Sequence, residues 1–157
     1  THHASSAASD VYKRQEIGFV GYSGGETSDG TKPEEAARFA TETNIDAMAI
    51  SVGNIHLQQN KEGGLDEDRI KSIETVSDVP LVIHGGSGVP LNQRIKLARN
   101  SKICKFNIGT ELRMAFGNAL RLSVNQDTKR FDRIQILKDT HDPLVHATRE
   151  VISTLKR

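Results

Sequence analysis

Leu81-Val82-Ile83-His84-Gly85-Gly86-Ser87-Gly88 is the stretch on which the reading of this chain turns. Three aliphatic residues run into a histidine, and two glycines, a serine and a third glycine follow. An unbroken apolar run of this kind suits a strand buried on both faces, as in a parallel sheet. The histidine then stands where the strand leaves the sheet. The glycines free the next backbone amides to close on something small. Imidazole ligates metals, and a cluster of bare amides holds an anion. The stretch points to a metal site beside a phosphate site. A capped histidine and an ordinary glycine turn form the plainer alternative.

The same grammar recurs on either side. Upstream, Ile45 to Val52 is a strand-like run that ends at Gly53-Asn54-Ile55-His56, and a polar loop from Leu57 to Gly64 follows. A helix is expected from about Asp66 to Val76, with Ile70, Ile73 and Val76 on one side. Earlier still, Glu16 to Gly21 reads as the end of a strand, followed by the glycine-rich loop Gly21 to Gly30. Thr31 and Glu34 have the spacing of a capping box, Pro33 suits a first helical turn, and Asn44 can stop that helix. Downstream, a short helix is expected from about Leu91 to Asn100 and a strand over Lys102 to Ile108. Gly109-Thr110 then opens a helix with Leu112, Phe116, Ala119 and Leu120 on one face. Beyond a polar connection at Asp127 to Arg130 the chain reads as helix, interrupted near Pro143. Strand followed by helix, four times over, is the mark of right-handed crossovers and a parallel sheet. Four units do not close an eight-stranded barrel, so a small doubly wound sheet and half of a barrel both remain open.

Composition narrows the classes. The 157 residues fit one domain or part of a larger one, and 36% are apolar. Lys and Arg number 21 against 20 Asp and Glu, and they are mixed along the chain. No basic stripe is present, which argues against a nucleic-acid partner. No apolar run is long enough to span a membrane, and no secretory leader is apparent. The single cysteine, Cys104, excludes an intrachain disulfide and fits a reducing, cytoplasmic setting; its strand-like surroundings suggest a buried structural thiol. Residues 1–15 are small and polar with little periodicity, and read as a disordered or non-native tail ahead of a folded unit over 16–157.

His56 and His84 each follow an apolar strand and are one βαβ step apart, which places both imidazoles at the same rim of a parallel sheet. Catalytic zinc takes three protein ligands and leaves a position open, so these two are an incomplete set. Beside them, Gly85 and Ser87 follow the third strand, and Asn107 and Thr110 follow the fourth at a helix N-terminus. Free amides and the helix dipole both favour an anion there. Glu16 and Glu26 are carboxylates near the first strand's end, with solvated loop acids as the plain reading. Lys61 and Arg133 are candidate phosphate cations, with exposed surface residues as the plain reading. His141 and His146 lie late, away from any strand end, and read as structural.

Four pieces in this order and spacing resemble the class II, metal-dependent ketose-bisphosphate aldolases. They are Glu16-Ile17-Gly18, Val52-Gly53-Asn54-Ile55-His56, Ile83-His84-Gly85-Gly86-Ser87-Gly88, and Asn107-Ile108-Gly109-Thr110-Glu111-Leu112-Arg113. The resemblance runs from about Glu16 to the C-terminus. It implies a TIM (β/α)8 barrel, of which this chain would be the C-terminal half with about four parallel βα units. It implies reversible aldol cleavage of a phosphorylated ketose, such as fructose or tagatose 1,6-bisphosphate, and a homo-oligomer when full length. By it His56 and His84 are two of three zinc ligands, and Glu16 matches a carboxylate near the metal. Gly85, Ser87, Asn107 and Thr110 would hold a substrate phosphate, with Lys61 matching a lysine in the loop after the second ligand. A monovalent cation would sit on backbone carbonyls around Ile55, Leu57 and Gly85. Arg133 resembles the arginine that reaches the other phosphate.

Three departures stand out. Leu57 occupies a position that is usually glycine in the family. The loop from Gly21 to Gly30 lacks the usual Gly-Gly-x-Glu-Asp spacing, which leaves Glu26 unmatched. The first four barrel strands, with the remaining histidine ligand and the aspartate that moves the proton, are not in this sequence, so little or no activity is expected of the chain alone. A competing class, a metal-free phosphate-binding barrel of the isomerase or synthase kind, keeps the glycine loop and makes both histidines structural; a third reading is a non-catalytic assembly fragment or truncated product.

Overall fold

The computed structural model describes residues 14–21, 29–62 and 64–156. Most of the expected tail and loop residues 22–28, including Glu26, lie outside them. Four strands form one sheet: β1 (Arg14–Ile17), β2 (Ala47–Ile50), β3 (Leu81–Ile83) and β4 (Ile103–Phe106). They lie side by side in chain order, and every neighbouring pair is parallel. Helices α1 (Pro33–Thr43), α2 (Glu67–Val76) and α3 (Leu91–Asn100) connect them, which makes each link a βαβ crossover. Three more helices follow: α4 (Thr110–Gln126), α5 (Arg133–Lys138) and α6 (His141–Leu155). No described helix is long and apolar enough to cross a membrane.

Alternate strand residues face opposite sides of the sheet. Met48 stands beside Leu81, and Leu81 beside Ile103. With Ile50 and Ile83 they form the core with Ala36, Ile70, Ile73 and Leu97 of the helices. Ala47, Ala49 and Val82 make a second buried cluster on the other face. The register puts Arg14 next to Ala47, Glu16 next to Ala49, and Lys105 next to Val82. One face is therefore an aliphatic layer under helices, and the other carries small and charged residues.

Local chemistry sets most boundaries as expected. Pro33 stands at the start of α1, and Asn44 ends that helix in left-handed backbone at φ 48°. Asp66 caps α2 by accepting the Arg69 amide at 2.9 Å.

Several expectations change. Thr31 forms no capping box; Lys32 takes the N-cap position without a side-chain bond. Thr31 is buried instead, donating its hydroxyl to the Ile17 carbonyl at 3.0 Å and accepting the Ser51 amide at 2.9 Å. It thereby ties the ends of β1 and β2 together. Strand β1 spans Arg14–Ile17, so it takes in the last two residues of the expected tail and ends before Gly18. The late helical run breaks before α6, and Pro143 lies in the first turn of α6, where a missing amide costs nothing. Cys104 is exposed, against the expectation of burial. The register passes from Leu81 beside Ile103 to Val82 beside Lys105, so Cys104 is the extra residue of an irregularity on an edge strand.

Candidate active site

Both histidines arrive at the same end of the sheet. His84 follows β3 directly, and His56 follows the turn after β2. Asn54 holds that turn, although the sequence drew no attention to it. It is buried; its side-chain oxygen accepts the Val52 amide at 2.7 Å, and its amide group donates to the carbonyls of Ile50 at 3.2 Å and His84 at 3.1 Å. One side chain thus locks the tip of β2 to the tip of β3. The His56 amide donates to the Gly21 carbonyl at 2.8 Å, which fixes the turn from the β1 side. The two imidazole rings meet edge to face with centroids 5.6 Å apart.

Glu16 stands at the same rim, its carboxylate 4.0 Å from His84 Nε2. The Asn107 amide nitrogen lies 3.2 Å from Nδ1 and 3.3 Å from Nε2 of His84. Burial pushes the His84 imidazole below its ordinary 6.5; Glu16 opposes this and His56 adds to it. The ring is therefore neutral at pH 7, the form that ligates metals. Two imidazoles on one tetrahedral zinc at about 2.0–2.1 Å have ring centroids about 5 Å apart, close to the separation here. Among the described residues no three His, Cys, Asp or Glu side chains gather closely enough to hold an ion. His56 and His84 therefore fit as part of a metal site and do not complete one.

A cavity of about 630 Å³ opens beside the histidines. His56, Leu57, Gly85, Ser87, Asn107, Gly109, Thr110 and Arg113 are in its wall. The structure thus gathers both expected imidazoles and all four expected phosphate residues at one place. Gly85 takes φ 64°, and a Cβ on it would collide with the Ile55 carbonyl oxygen. At this point the third-strand loop and the turn bearing His56 meet backbone to backbone. Leu57 also takes left-handed backbone, at φ 58°.

Gly109, not Thr110, is the N-cap residue of α4, and it has no side chain to cap with. Ser87 reaches across and accepts the Glu111 amide at 3.1 Å. Its hydroxyl thus ties the glycine loop to the first turn of α4.

Lys61 lies on Glu111, with Nζ 2.8 Å from one carboxylate oxygen. Arg94 holds the other oxygen at 3.0 Å from α3. Arg94 is almost wholly buried, and its Nε has no hydrogen-bond partner among the described residues. Burial pushes the Glu111 carboxyl up, but the hydrogen bonds from Lys61 and Arg94 outweigh it and leave the group below its ordinary 4.5. Sequence reasoning missed this hub. The signal was available: Arg94 shares the buried side of α3 with Leu97 and Ala98, where a lone charge calls for a partner.

Arg133 is exposed in the first turn of α5 and is not part of the cavity wall. His141 pairs with Asp142 at 2.8 Å and His146 with Glu150 at 3.4 Å, both exposed on α6.

Known structures share this fold. The YdjI aldolase from Escherichia coli K12 superposes with a TM-score of 0.65 at 26% identity, over 90% of this chain and 46% of that one. A putative fructose-1,6-bisphosphate aldolase from Coccidioides immitis gives 0.71 at 19% identity, over 92% and 52%. The fructose-bisphosphate aldolase from Campylobacter jejuni gives 0.66 at 21% identity, over 80% and 44%. The chain thus spans about half the length of these proteins, and its four parallel βα units correspond to about half of a TIM barrel. The family model for class II fructose-bisphosphate aldolase matches residues 6–157. With that match over nearly the whole sequence, the chain belongs to the class II fructose-bisphosphate aldolase family.

Proposed function

We propose that these residues serve a metal-dependent aldolase that reversibly cleaves a phosphorylated ketose, such as fructose or tagatose 1,6-bisphosphate, to dihydroxyacetone phosphate and an aldehyde. The observation that carries this reading is the pair of imidazoles at 5.6 Å beside a cavity walled by Gly85, Ser87, Asn107 and Thr110. His56 and His84 are two ligands of a zinc ion, and Glu16 is a carboxylate beside it. When bound, zinc polarises the substrate ketone. The Gly85 loop, Ser87, Asn107 and Thr110 hold the phosphate and so fix which carbon faces the histidines. Lys61, anchored on Glu111, and Arg133 are further cations for the substrate's phosphates. The close backbone approach of Gly85 to Ile55, next to Leu57, suits a monovalent cation on carbonyl oxygens. The aspartate that moves the proton is absent from this chain, so the chain alone is expected to turn over little or no substrate. The full-length enzyme works as a homo-oligomer in the cytoplasm, where Cys104 stays reduced.

The test pairs metal with product. Zinc bound per chain is measured for the wild type and for His84→Ala. Triose phosphate release from each bisphosphate is then followed in the full-length protein, with and without added zinc. Zinc loss in His84→Ala together with zinc-dependent release supports the reading. Undiminished zinc in His84→Ala, or release that ignores zinc, overturns it.

A further inference from the structure

Glu16 and His84 meet although their strands are not neighbours. The register sets Glu16 beside Ala49 and Ala49 beside Val82, so Glu16 lies on the face that carries small and charged residues. Strand β3 ends at Ile83, which belongs to the core under the helices, so by alternation His84 turns to the same face as Glu16. Strand β2 runs between β1 and β3, yet the Glu16 carboxylate comes within 4.0 Å of His84 Nε2. Barrel curvature produces contacts of this kind. In a TIM barrel the inward side chains stack in layers of four, taken from alternate strands. Glu16 and His84 are two members of one such layer. Among the described residues no strand pairs with the outer edge of β1 or of β4. The helix that follows β4 is also poorly covered: α4 buries only Ala119 and Ser123, and Met114, Leu122 and Val124 are exposed on it.

We infer that a second copy of this chain covers both edges, β4 of each against β1 of the other, and closes an eight-stranded barrel in which each His84 stands between the Glu16 of its own chain and Glu16 of the partner subunit. Four parallel strands in chain order span half of such a barrel, so a twofold rotation about its axis brings two sheets edge to edge with every strand parallel. Each seam is head to tail. A flat sheet joined in this way would go on adding copies, whereas a half barrel turns through half a circle and its second seam closes the ring. The twofold also fills the layer. The step from β3 across β4 to the partner's β1 repeats the step from β1 across β2 to β3, which sets the partner's Glu16 beside His84. A single chain has no second Glu16 to place there.

Sedimentation equilibrium of the intact chain over a concentration series tests the closure. The mass should rise from 17.2 kDa and level off at twice that value. A mass fixed at one chain overturns the inference, and so does a mass that climbs past two chains without a plateau. A second measurement reads which surfaces meet. Wild-type chain carrying 15N-histidine is mixed with excess unlabelled Glu16→Gln, and the His84 ring resonances of the labelled chain are compared with those in unlabelled wild type. They should shift in the mixed dimers, because only the partner's residue differs. Dimers in which these resonances ignore the partner's substitution pair through another surface and overturn the inference. Should Glu16→Gln fail to fold, amide hydrogen exchange of the wild type decides. Protection gained with concentration should concentrate on β1 and β4; a gain confined to other elements overturns the inference.

Discussion

Gly85 and Leu57 both take left-handed backbone at the site, at φ 64° and 58°, and only one of them is a glycine. At Gly85 two constraints coincide, since a Cβ would be strained and would also strike the Ile55 carbonyl. Gly85→Ala should therefore cost about 2–5 kcal/mol, from about 1–2 for the conformation and about 1–3 for the overlap. Urea unfolding of the two proteins checks this, and a loss under about 1 kcal/mol would show that the loop yields. Leu57 is the opposite case. Its side chain is half exposed, so it gains little burial in return for its strain. Leu57→Gly should relieve about 1–2 kcal/mol and give back about 0.5–1 through glycine's extra freedom when unfolded. A small rise in the urea midpoint is expected, and a fall would mean that the side chain packs against something essential.

At the scale of elements, the site is a set of seams between strand tips. Thr31 joins β1 to β2, Asn54 joins β2 to β3, and Ser87 joins the loop after β3 to α4. Glu111 extends the last seam by drawing Lys61 and Arg94 to the first turn of α4. This seam has a pH signature. The Glu111 carboxyl sits below its ordinary 4.5 in the folded chain, so the unfolded chain binds its proton first as pH falls. The stability it contributes is complete above that ordinary value and is lost as pH drops through the lowered one. Urea midpoints of wild type and Glu111→Gln should thus differ most above the ordinary 4.5 and converge as pH falls below it. A gap that stays constant with pH would assign the loss to packing rather than to the charge.

At the scale of the whole molecule, β1 and β4 are the two edges of the sheet among the described residues, with no further strand paired to either. Open edges are templates for further pairing, and the aldolases of similar fold are about twice as long. The isolated chain should self-associate, read as a mass by light scattering that rises with concentration. A monodisperse monomer would mean that the edges are covered. The helical layer leaves a second set of apolar side chains in solvent, with Phe131 93% exposed and Leu122 62% exposed. That adds to the expected tendency.

The sequence by itself determined the alternation of strand and helix, because apolar runs and capping residues act over a few neighbours. It determined the rim as well: His84 follows its strand directly and His56 the turn after its strand, and a parallel sheet sends all such ends one way. The resemblance of four motifs added the chemistry. What the sequence could not settle were partners far apart in the chain. Thr31 read as a cap because its spacing to Glu34 is local, whereas its real bonds cross to Ile17 and Ser51. Cys104 read as buried because its run is strand-like, whereas a slip in register against β3 turns it out. The pairing of Glu111 with Arg94 and Lys61 arises only when α3, α4 and the His56 loop meet. Local patterns fix what each segment becomes; only packing decides which charges find partners.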